Sequence, residues 1–209
     1  MRAVFLDLDG TLVDSQPGIL SSLRHAFGSI GRTDLLAEDL TWMIGPPFVE
    51  SFAKVGIEDP GPALEAYRGH YRAGGMFDAT VYGGVLELLD ALQGAGHRLY
   101  LATAKPHAYA TEITAHFGLS RHMAAEFGPE LDGTNNWKGD LLRHALGVTG
   151  ESAENSVMVG DRHHDMGAAA EVGMPSVAVR WGYGDPAEWA GAAAVIDAPG
   201  DLPSVIAAL

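Results

Sequence analysis

The sequence contains no cysteine, so neither disulfide bonds nor thiol chemistry is available to this chain. Basic residues are also scarce. Lys and Arg total 13 against 27 Asp and Glu, which gives a formal net charge of −14 and a pI near 4.8. Because an acidic chain repels polyanions, we expect neither nucleic acid nor an anionic membrane as its main partner.

Long apolar runs are missing as well. The apolar stretch that precedes Asp7 is far too short for a signal peptide or a membrane span, so we expect a cytoplasmic protein. The chain of 209 residues is 47% hydrophobic and has a mean hydropathy of +0.05. These values suit a globular core domain with a small insertion.

Two carboxylates follow the first apolar run in the segment Asp7-Leu8-Asp9-Gly10-Thr11. A strand ending here places both acids at the carboxyl edge of a sheet, where open α/β sheets bind ligands. Two unit charges about 4 Å apart repel by roughly 4 kcal/mol at an effective dielectric near 20. A cation or a shared proton must offset that repulsion, unless the segment is only a polar turn.

A second apolar run, residues 156–159, also ends in acid, with Asp161 and Asp165 four residues apart at the start of a helix. Carboxylate oxygens are the ligands that a hard cation such as Mg²⁺ prefers. Two acidic strand ends far apart in the chain are difficult to explain as coincidence. The pattern therefore predicts a site for one hard divalent cation at one sheet edge.

Two further features suit a phosphoryl group. The strand predicted at 99–102 ends at Thr103-Ala104-Lys105-Pro106, where a hydroxyl, backbone N–H groups and a helix start come together. A threonine here is equally typical of an ordinary helix N-cap. Lys138 opens another predicted helix, where its charge opposes the helix dipole. Neutralising a bound phosphate would account for it.

In order and spacing these four motifs resemble those of the haloacid dehalogenase superfamily, and specifically its phosphatases with a small helical cap. The resemblance extends over nearly the whole chain. The finer similarity is to the phosphoglycolate phosphatase and 5′-nucleotidase-like branch, through the N-terminal Asp-Gly-Thr-Leu-Val-Asp-Ser and the stretch Leu131-Asp132-Gly133-Thr134. It implies Mg²⁺-dependent hydrolysis of small phosphate monoesters.

The resemblance assigns a role to each motif. Asp7 is the implied nucleophile that forms an aspartyl-phosphate, and Asp9 is the implied general acid and base. Mg²⁺ is held by Asp7, the Asp9 carbonyl, Asp161 and Asp165.

The substrate phosphate is bound by the turn and lysine motifs. Gly10 and Thr11 shape the turn behind the nucleophile, while Thr103, the Ala104 N–H and Lys138 contact phosphate oxygens. Relatives commonly carry Ser or Asn where this chain has Ala104. The family's proline-rich segment after the motif-three lysine is replaced here by Gly-Asp. Because of this departure, either Lys105 or Lys138 could be the lysine that binds the phosphate. We expect it to be Lys138.

Alternating strand and helix patterns predict repeated βα units, and the fold class is α/β: a Rossmann-like three-layer α/β/α core with a parallel sheet. Residues 14–80 carry only helical patterns and turn signals. We expect a core domain of 1–13 and 81–209 and a helical cap domain of 14–80. The cap implies a small phosphorylated metabolite as partner, and the protein is expected to be a monomer or homodimer.

Other functions remain open from the sequence alone. A phosphomutase would share the whole site. A metal-independent haloacid dehalogenase needs neither Asp9 nor Asp161, and a phosphoacceptor signalling domain fits poorly with Asp9 and a long cap.

Several conspicuous residues stay outside the expected site. His163 and His164 are poor ligands for Mg²⁺. The pair Arg68 and Arg72 fits an ordinary amphipathic helix, and residues 181–184 (Trp-Gly-Tyr-Gly) are expected to be a surface loop with a packing role.

Overall fold

The structure is a computed structural model that describes residues 1–209. Its strands are β1 (Ala3–Leu6), β2 (Val13–Asp14), β3 (Thr80–Val81), β4 (Arg98–Ala102), β5 (Ala125–Phe127), β6 (Ser156–Gly160), β7 (Ser176–Val179) and β8 (Ala194–Ile196). Its α-helices are α1 (Gln16–Ser29), α2 (Phe48–Lys54), α3 (Gly61–Arg72), α4 (Val85–Gly94), α5 (His107–His116), α6 (Lys138–Thr149), α7 (His163–Val172) and α8 (Leu202–Ala208).

Six strands form one parallel sheet in the order β5-β4-β1-β6-β7-β8. In this register Leu6 at the end of β1 lies beside Leu101 on β4 and Val159 on β6. The loops that follow these three strands therefore start side by side at one edge. The parallel α/β fold expected from the sequence is confirmed.

Both faces of the sheet are covered. On one face, Phe5 and Met158 pack in a buried cluster with Leu142 of α6 and Ala169 of α7. The alternate residues of the same strands are equally buried, and α4 and α5 pack against β4 and β5. Because successive strand residues point to opposite faces, this burial on both sides gives the three layers of a doubly covered sheet.

The sequence predicts a helix after Gly83-Gly84, because apolar residues recur there at helical spacing, and the structure has α4 at this place. Val85, Leu88, Leu89 and Leu92 are all buried. The sequence also predicts a helix around residues 186–190, whereas the structure has a short 3-10 turn there, Pro186–Trp189. One turn is too short for an α-helix there.

Contacts between Cα atoms divide the chain into two compact units. One consists of Met1–Val13 and Val81–Leu209 and contains the parallel sheet; the other is Asp14–Thr80. The second unit contains α1, α2 and α3 with short 3-10 turns and no part of the six-stranded sheet.

The helical unit has an aromatic core of its own. The rings of Phe27 on α1 and Phe52 on α2 pack edge to face with their centroids 5.3 Å apart. Tyr71 on α3 is almost completely buried. Gly18 is required by a close approach, because a Cβ there would lie 1.8 Å from the Gly75 carbonyl oxygen. Burial of these rings supplies the apolar area that holds the unit together.

None of the helices combines the length and the apolar character needed to cross a lipid bilayer.

Candidate active site

The acidic residues of the first and last motifs meet at the carboxyl edge of the sheet. The backbone N–H of Asp7 donates to the Val159 carbonyl at 3.0 Å, which ties the end of β1 to β6. Asp7, Asp161 and Asp165 are all buried, and one carboxylate oxygen of each lies within 4.8 Å of the others. The cluster joins residues more than 150 positions apart.

The loop after β1 (residues 7–12, the β1 loop) turns tightly enough to bring these acids together. Gly10 has φ of +79°, and its N–H donates to the Val13 carbonyl at 2.9 Å. A Cβ at Gly10 would lie 2.3 Å from a carboxylate oxygen of Asp161, so any side chain here would clash with that acid. Thr11 is buried beside this turn.

Lys138 reaches into the acidic cluster from the first residue of α6. Its ammonium lies 2.9 Å from Asp7 Oδ1 and also contacts Asp165 Oδ1, and the side chain is 6% exposed. A buried lysine in this position brings one positive charge to three carboxylates. The cluster is therefore left with a net negative charge when all three acids are ionised.

Lys105 occupies a different part of the site. Its ammonium lies 3.0 Å from Asp9 Oδ2, and Asp9 does not belong to the cluster of three carboxylates. The Thr103 hydroxyl accepts a hydrogen bond from the Lys105 N–H at 3.2 Å, and Thr103 is buried. The Thr103 N–H donates to the Phe127 carbonyl of β5. Each lysine thus pairs with a different acid of the β1 loop.

Crowding and burial shift the protonation of the cluster. Desolvation by burial, followed by the charges of Asp165 and Asp7, raises the pKa of Asp161 well above its usual value. Burial also raises the pKa of Asp165 to about 6, although Lys138 opposes this shift. Burial disfavours the Lys138 ammonium, but the charges of Asp165 and Asp7 outweigh it and raise the pKa of that lysine. The site favours additional positive charge.

The donor set fits a divalent cation. Asp161 Oδ1 is buried without a hydrogen-bond partner, and buried polar atoms left unpaired in this way require an explanation. Three carboxylates with oxygens within 4.8 Å of one another supply the hard ligands that Mg²⁺ prefers. A cation bound among them would offset the repulsion that adds to the effect of burial in raising the pKa values of Asp161 and Asp165.

The histidines near the cluster have other surroundings. His163 Nδ1 lies 2.7 Å from Glu188 Oε2, and neither His163 nor His164 belongs to the group of possible metal ligands. Burial and neighbouring positive charges lower the pKa of His164 to about 4, so its ring is neutral at pH 7. Arg68 and Arg72 lie on α3 in the helical unit.

Residues 181–189 contact the site in a way that the sequence did not indicate. The Trp181 indole donates to the Thr11 carbonyl at 3.0 Å, and the Tyr183 N–H donates to Asp161 Oδ2 at 2.7 Å. The expectation of a surface loop with a packing role did not include these contacts with the acidic loops. Gly182 between Trp181 and Tyr183, with Gly184 following, was the available signal, since glycines permit close backbone approach.

Comparison with known proteins places the chain among hydrolases. The model of the haloacid dehalogenase-like hydrolase family matches residues 4–179. A 5′-nucleotidase of Pseudomonas aeruginosa is 41% identical over 184 residues, covering 87% of this chain and 83% of the relative. A phosphoglycolate phosphatase of Agrobacterium fabrum is 34% identical over 194 residues, covering 88% of this chain and 82% of the relative.

Two further similarities complete the comparison. The tyrosine-protein kinase PtkA of Mycobacterium tuberculosis is 42% identical over 184 residues; the match covers 88% of this chain but 63% of the kinase. The crystal structure of a predicted phosphatase from Clostridium acetobutylicum superposes with a TM-score of 0.92 at 33% identity, covering 100% of this chain and 99% of that one.

Proposed function

Because the chain belongs to the haloacid dehalogenase-like hydrolase family, we propose that it is a Mg²⁺-dependent phosphatase acting on small phosphate monoesters through an aspartyl-phosphate at Asp7. Relatives named 5′-nucleotidase and phosphoglycolate phosphatase support the reaction class. The observation that carries the proposal is the pairing of acids and lysines. Asp7 lies in the cluster with Lys138, and Asp9 lies apart from it with Lys105.

This separation gives the two acids of the β1 loop different tasks. An Asp7 carboxylate oxygen attacks phosphorus while the bond between phosphorus and the ester oxygen breaks. Asp9 donates its proton to the departing oxygen, which leaves as an alcohol. Asp9 then accepts a proton from water as the water oxygen attacks the aspartyl-phosphate. Inorganic phosphate is released and Asp7 is regenerated.

The remaining residues bind and orient the phosphoryl group. We assign the phosphate oxygens to the Thr103 hydroxyl, the Ala104 N–H and Lys138, with Gly10 and Thr11 shaping the turn behind the nucleophile. These donors offset the charge that moves between oxygens in the transition state. Lys138 is the principal phosphate cation in this proposal, and Lys105 holds Asp9.

The metal would be held by the Asp7 and Asp161 carboxylates, the Asp9 carbonyl and Asp165. Bound there, Mg²⁺ supplies the positive charge that lets an anionic nucleophile approach an anionic phosphate. Asp161 and Asp165 keep this charge at the sheet edge. We assign the unit of 14–80 as the cap domain that selects the substrate, with a small phosphorylated metabolite as partner. A cytoplasmic monomer or homodimer remains our expectation.

A phosphate-release screen with Mg²⁺ tests the proposal. The panel contains phosphoglycolate, nucleoside 5′-monophosphates, sugar phosphates and pyridoxal phosphate, with the Asp7→Asn variant as the inactive control. A preference above about tenfold in kcat/KM, about 1.4 kcal/mol, would define the substrate class. Release of phosphate from none of them, or isomerised sugar phosphates without free phosphate, would contradict hydrolysis.

The similarity to a tyrosine kinase requires one additional assay. PtkA extends well beyond the region this chain matches, and its name describes the longer protein. Incubation with ATP followed by phosphotyrosine detection separates the two activities. We expect phosphate release from small esters and no phosphotyrosine.

A further inference from the structure

Residues 181–189, the tryptophan segment, hold Asp161 by two hydrogen bonds from different directions. The Tyr183 N–H donates to the Asp161 carboxylate oxygen Oδ2 at 2.7 Å. The Trp189 indole donates to the Asp161 main-chain carbonyl, also at 2.7 Å. Trp189 is buried, and Asp161 is completely buried. One contact orients the carboxylate and the other fixes the backbone that carries it.

The same segment also holds the β1 loop. The Trp181 indole donates to the Thr11 carbonyl at 3.0 Å across a separation of 170 residues. A Cβ at Gly182 would lie 2.3 Å from the Gly10 carbonyl oxygen and 2.4 Å from Asp161 Cβ. The backbone at Gly182 therefore lies against both loops at a distance that no side chain would permit.

A third attachment reaches the start of α7. The Glu188 carboxylate accepts hydrogen bonds from Arg162 Nε at 2.9 Å and from the His163 N–H at 3.0 Å. The Arg162 N–H in turn donates to Asp165 Oδ2 at 3.0 Å. The segment thus braces the residues on both sides of the acidic cluster, through contacts that leave one oxygen of Asp161 without a partner.

We propose that the tryptophan segment positions Asp161 relative to Asp7 and thereby makes the acidic cluster selective for Mg²⁺ over Ca²⁺. The inference rests on the metal site of the proposed function. Mg²⁺ requires near-octahedral oxygen ligands at about 2.0–2.1 Å, whereas Ca²⁺ accepts about six to eight ligands at about 2.3–2.6 Å in flexible arrangements. The contacts from the tryptophan segment limit how far the Asp161 carboxylate and its backbone can move. Loosening them would therefore penalise Mg²⁺, which has the stricter geometry, more than Ca²⁺.

The four tryptophans of the chain allow a matched experiment. Trp181→Phe and Trp189→Phe each remove one indole N–H from the segment and keep an aromatic ring. Trp42→Phe and Trp137→Phe are the controls, because these two side chains are 38% and 62% exposed and lie outside the segment. Isothermal titration without substrate measures the Kd of Mg²⁺ and of Ca²⁺ for each variant, and Tm is recorded for each without metal.

We expect each segment variant to raise the Mg²⁺ Kd about tenfold, the scale typical of residues that orient metal ligands. The Ca²⁺ Kd should change less than about threefold, so the Mg²⁺ to Ca²⁺ selectivity falls. Both controls should retain wild-type values. Glu188→Gln, which removes the charge facing Arg162, should act in the same direction and supports the test if Trp189→Phe does not fold.

An independent measurement uses the wild-type protein without metal. Hydrogen exchange of the four indole N–H groups, assigned by NMR from the Phe variants, should be at least about tenfold slower for Trp181 and Trp189 than for Trp42 and Trp137. Equal exchange rates would show that the two indoles do not brace the loops and would overturn the proposal.

The other outcomes are also decisive. Wild-type Mg²⁺ binding that persists unchanged in the segment variants overturns the positioning role and leaves the proposed function intact. Equal weakening of Mg²⁺ and Ca²⁺ together with a lower Tm identifies a purely structural role and also overturns it. Failure of the wild-type protein to bind Mg²⁺ overturns the metal site itself, and the selectivity proposal with it.

Discussion

The ammonium of Lys105 lies 3.0 Å from a carboxylate oxygen of Asp9, and the two side chains are only 6% and 13% exposed. The pair is separate from the contact of Lys138 with Asp7. Lys105 and Lys138, which compete for one role in the sequence, therefore have different partners. In our mechanism Lys105 orients the acid that protonates the leaving group, and Lys138 neutralises the phosphoryl group.

Replacing each lysine by Met, which keeps an unbranched stem, should distinguish these roles. Lys138→Met should lower kcat/KM by about 10²–10³ for every substrate, because a donor to the transition state is lost. Lys105→Met should cost less overall, and more for alkyl phosphates than for p-nitrophenyl phosphate, whose leaving group needs no proton. Steady-state kinetics on both esters gives the comparison, and circular dichroism checks folding. A larger general loss in Lys105→Met would reverse the assignment.

Substitutions of the two acids of the β1 loop should impair different steps of the reaction. Asp7→Asn should eliminate both turnover and covalent phosphate labelling, since the nucleophile is gone. Asp9→Asn should slow hydrolysis of alkyl phosphates by about 10²-fold or more through loss of the general acid. Rapid-quench labelling with a ³²P-labelled substrate measures both steps. Near-normal turnover in folded Asp7→Asn would disprove the covalent mechanism.

Removal of the metal should abolish hydrolysis reversibly. After treatment with EDTA the acidic cluster lacks the charge of the metal and keeps its contact with Lys138, and repulsion between Asp7 and the substrate phosphate dominates. Adding Mg²⁺ in excess should restore activity, which a continuous phosphate assay follows. Undiminished activity after rigorous chelation would rule out the metal assignment.

Asp161 should lower the stability of the metal-free protein at neutral pH. Its pKa is raised in the folded state, mainly by burial, so the folded state binds this proton more tightly than the unfolded state does. The favourable contribution is complete below the unfolded pKa of about 3.8 and is lost as pH rises through the folded pKa. Asp161→Asn should therefore raise Tm in EDTA at pH 7.

The size of that effect must depend on pH. The gain in Tm should shrink as pH falls below the folded pKa and approach zero below about 3.8, with about 2–4 °C expected per kcal/mol for a chain of this length. Thermal melts from about pH 3 to pH 8, with a folded surface variant such as Glu154→Gln as control, measure this trend. A Tm lower than wild type at pH 7 would contradict it.

The sequence was sufficient to predict the sheet and its acidic edge, because both have local signals. Buried strands such as β1 and β6 are short apolar runs, and the acids follow them directly along the chain. Parallel strands align their carboxyl ends, so Asp7 and Asp161 could be placed together without a structure. The four motifs needed no knowledge of side-chain packing.

Other contacts could not be anticipated for a physical reason. A hydrogen bond from the Trp181 indole to the Thr11 carbonyl depends on a backbone atom, which has the same chemistry in every residue. The pairing of Lys105 with Asp9 depends on side-chain rotamers. Neither contact produces a periodic pattern in the sequence. The only sequence sign of the close backbone approach at Gly182 is the glycine itself, and a glycine is equally typical of a surface turn.

The pairing of β2 with β3 determines how the segment between these two strands can be replaced by protein engineering. These two short strands, Val13–Asp14 and Thr80–Val81, are hydrogen-bonded neighbours at the two positions where the polypeptide passes between its compact units. The point where the chain leaves the first unit is therefore adjacent to the point where it returns. Such a segment is exchangeable: a turn of a few residues joining β2 to β3, or a helical module from another protein, would preserve the strand order of the sheet.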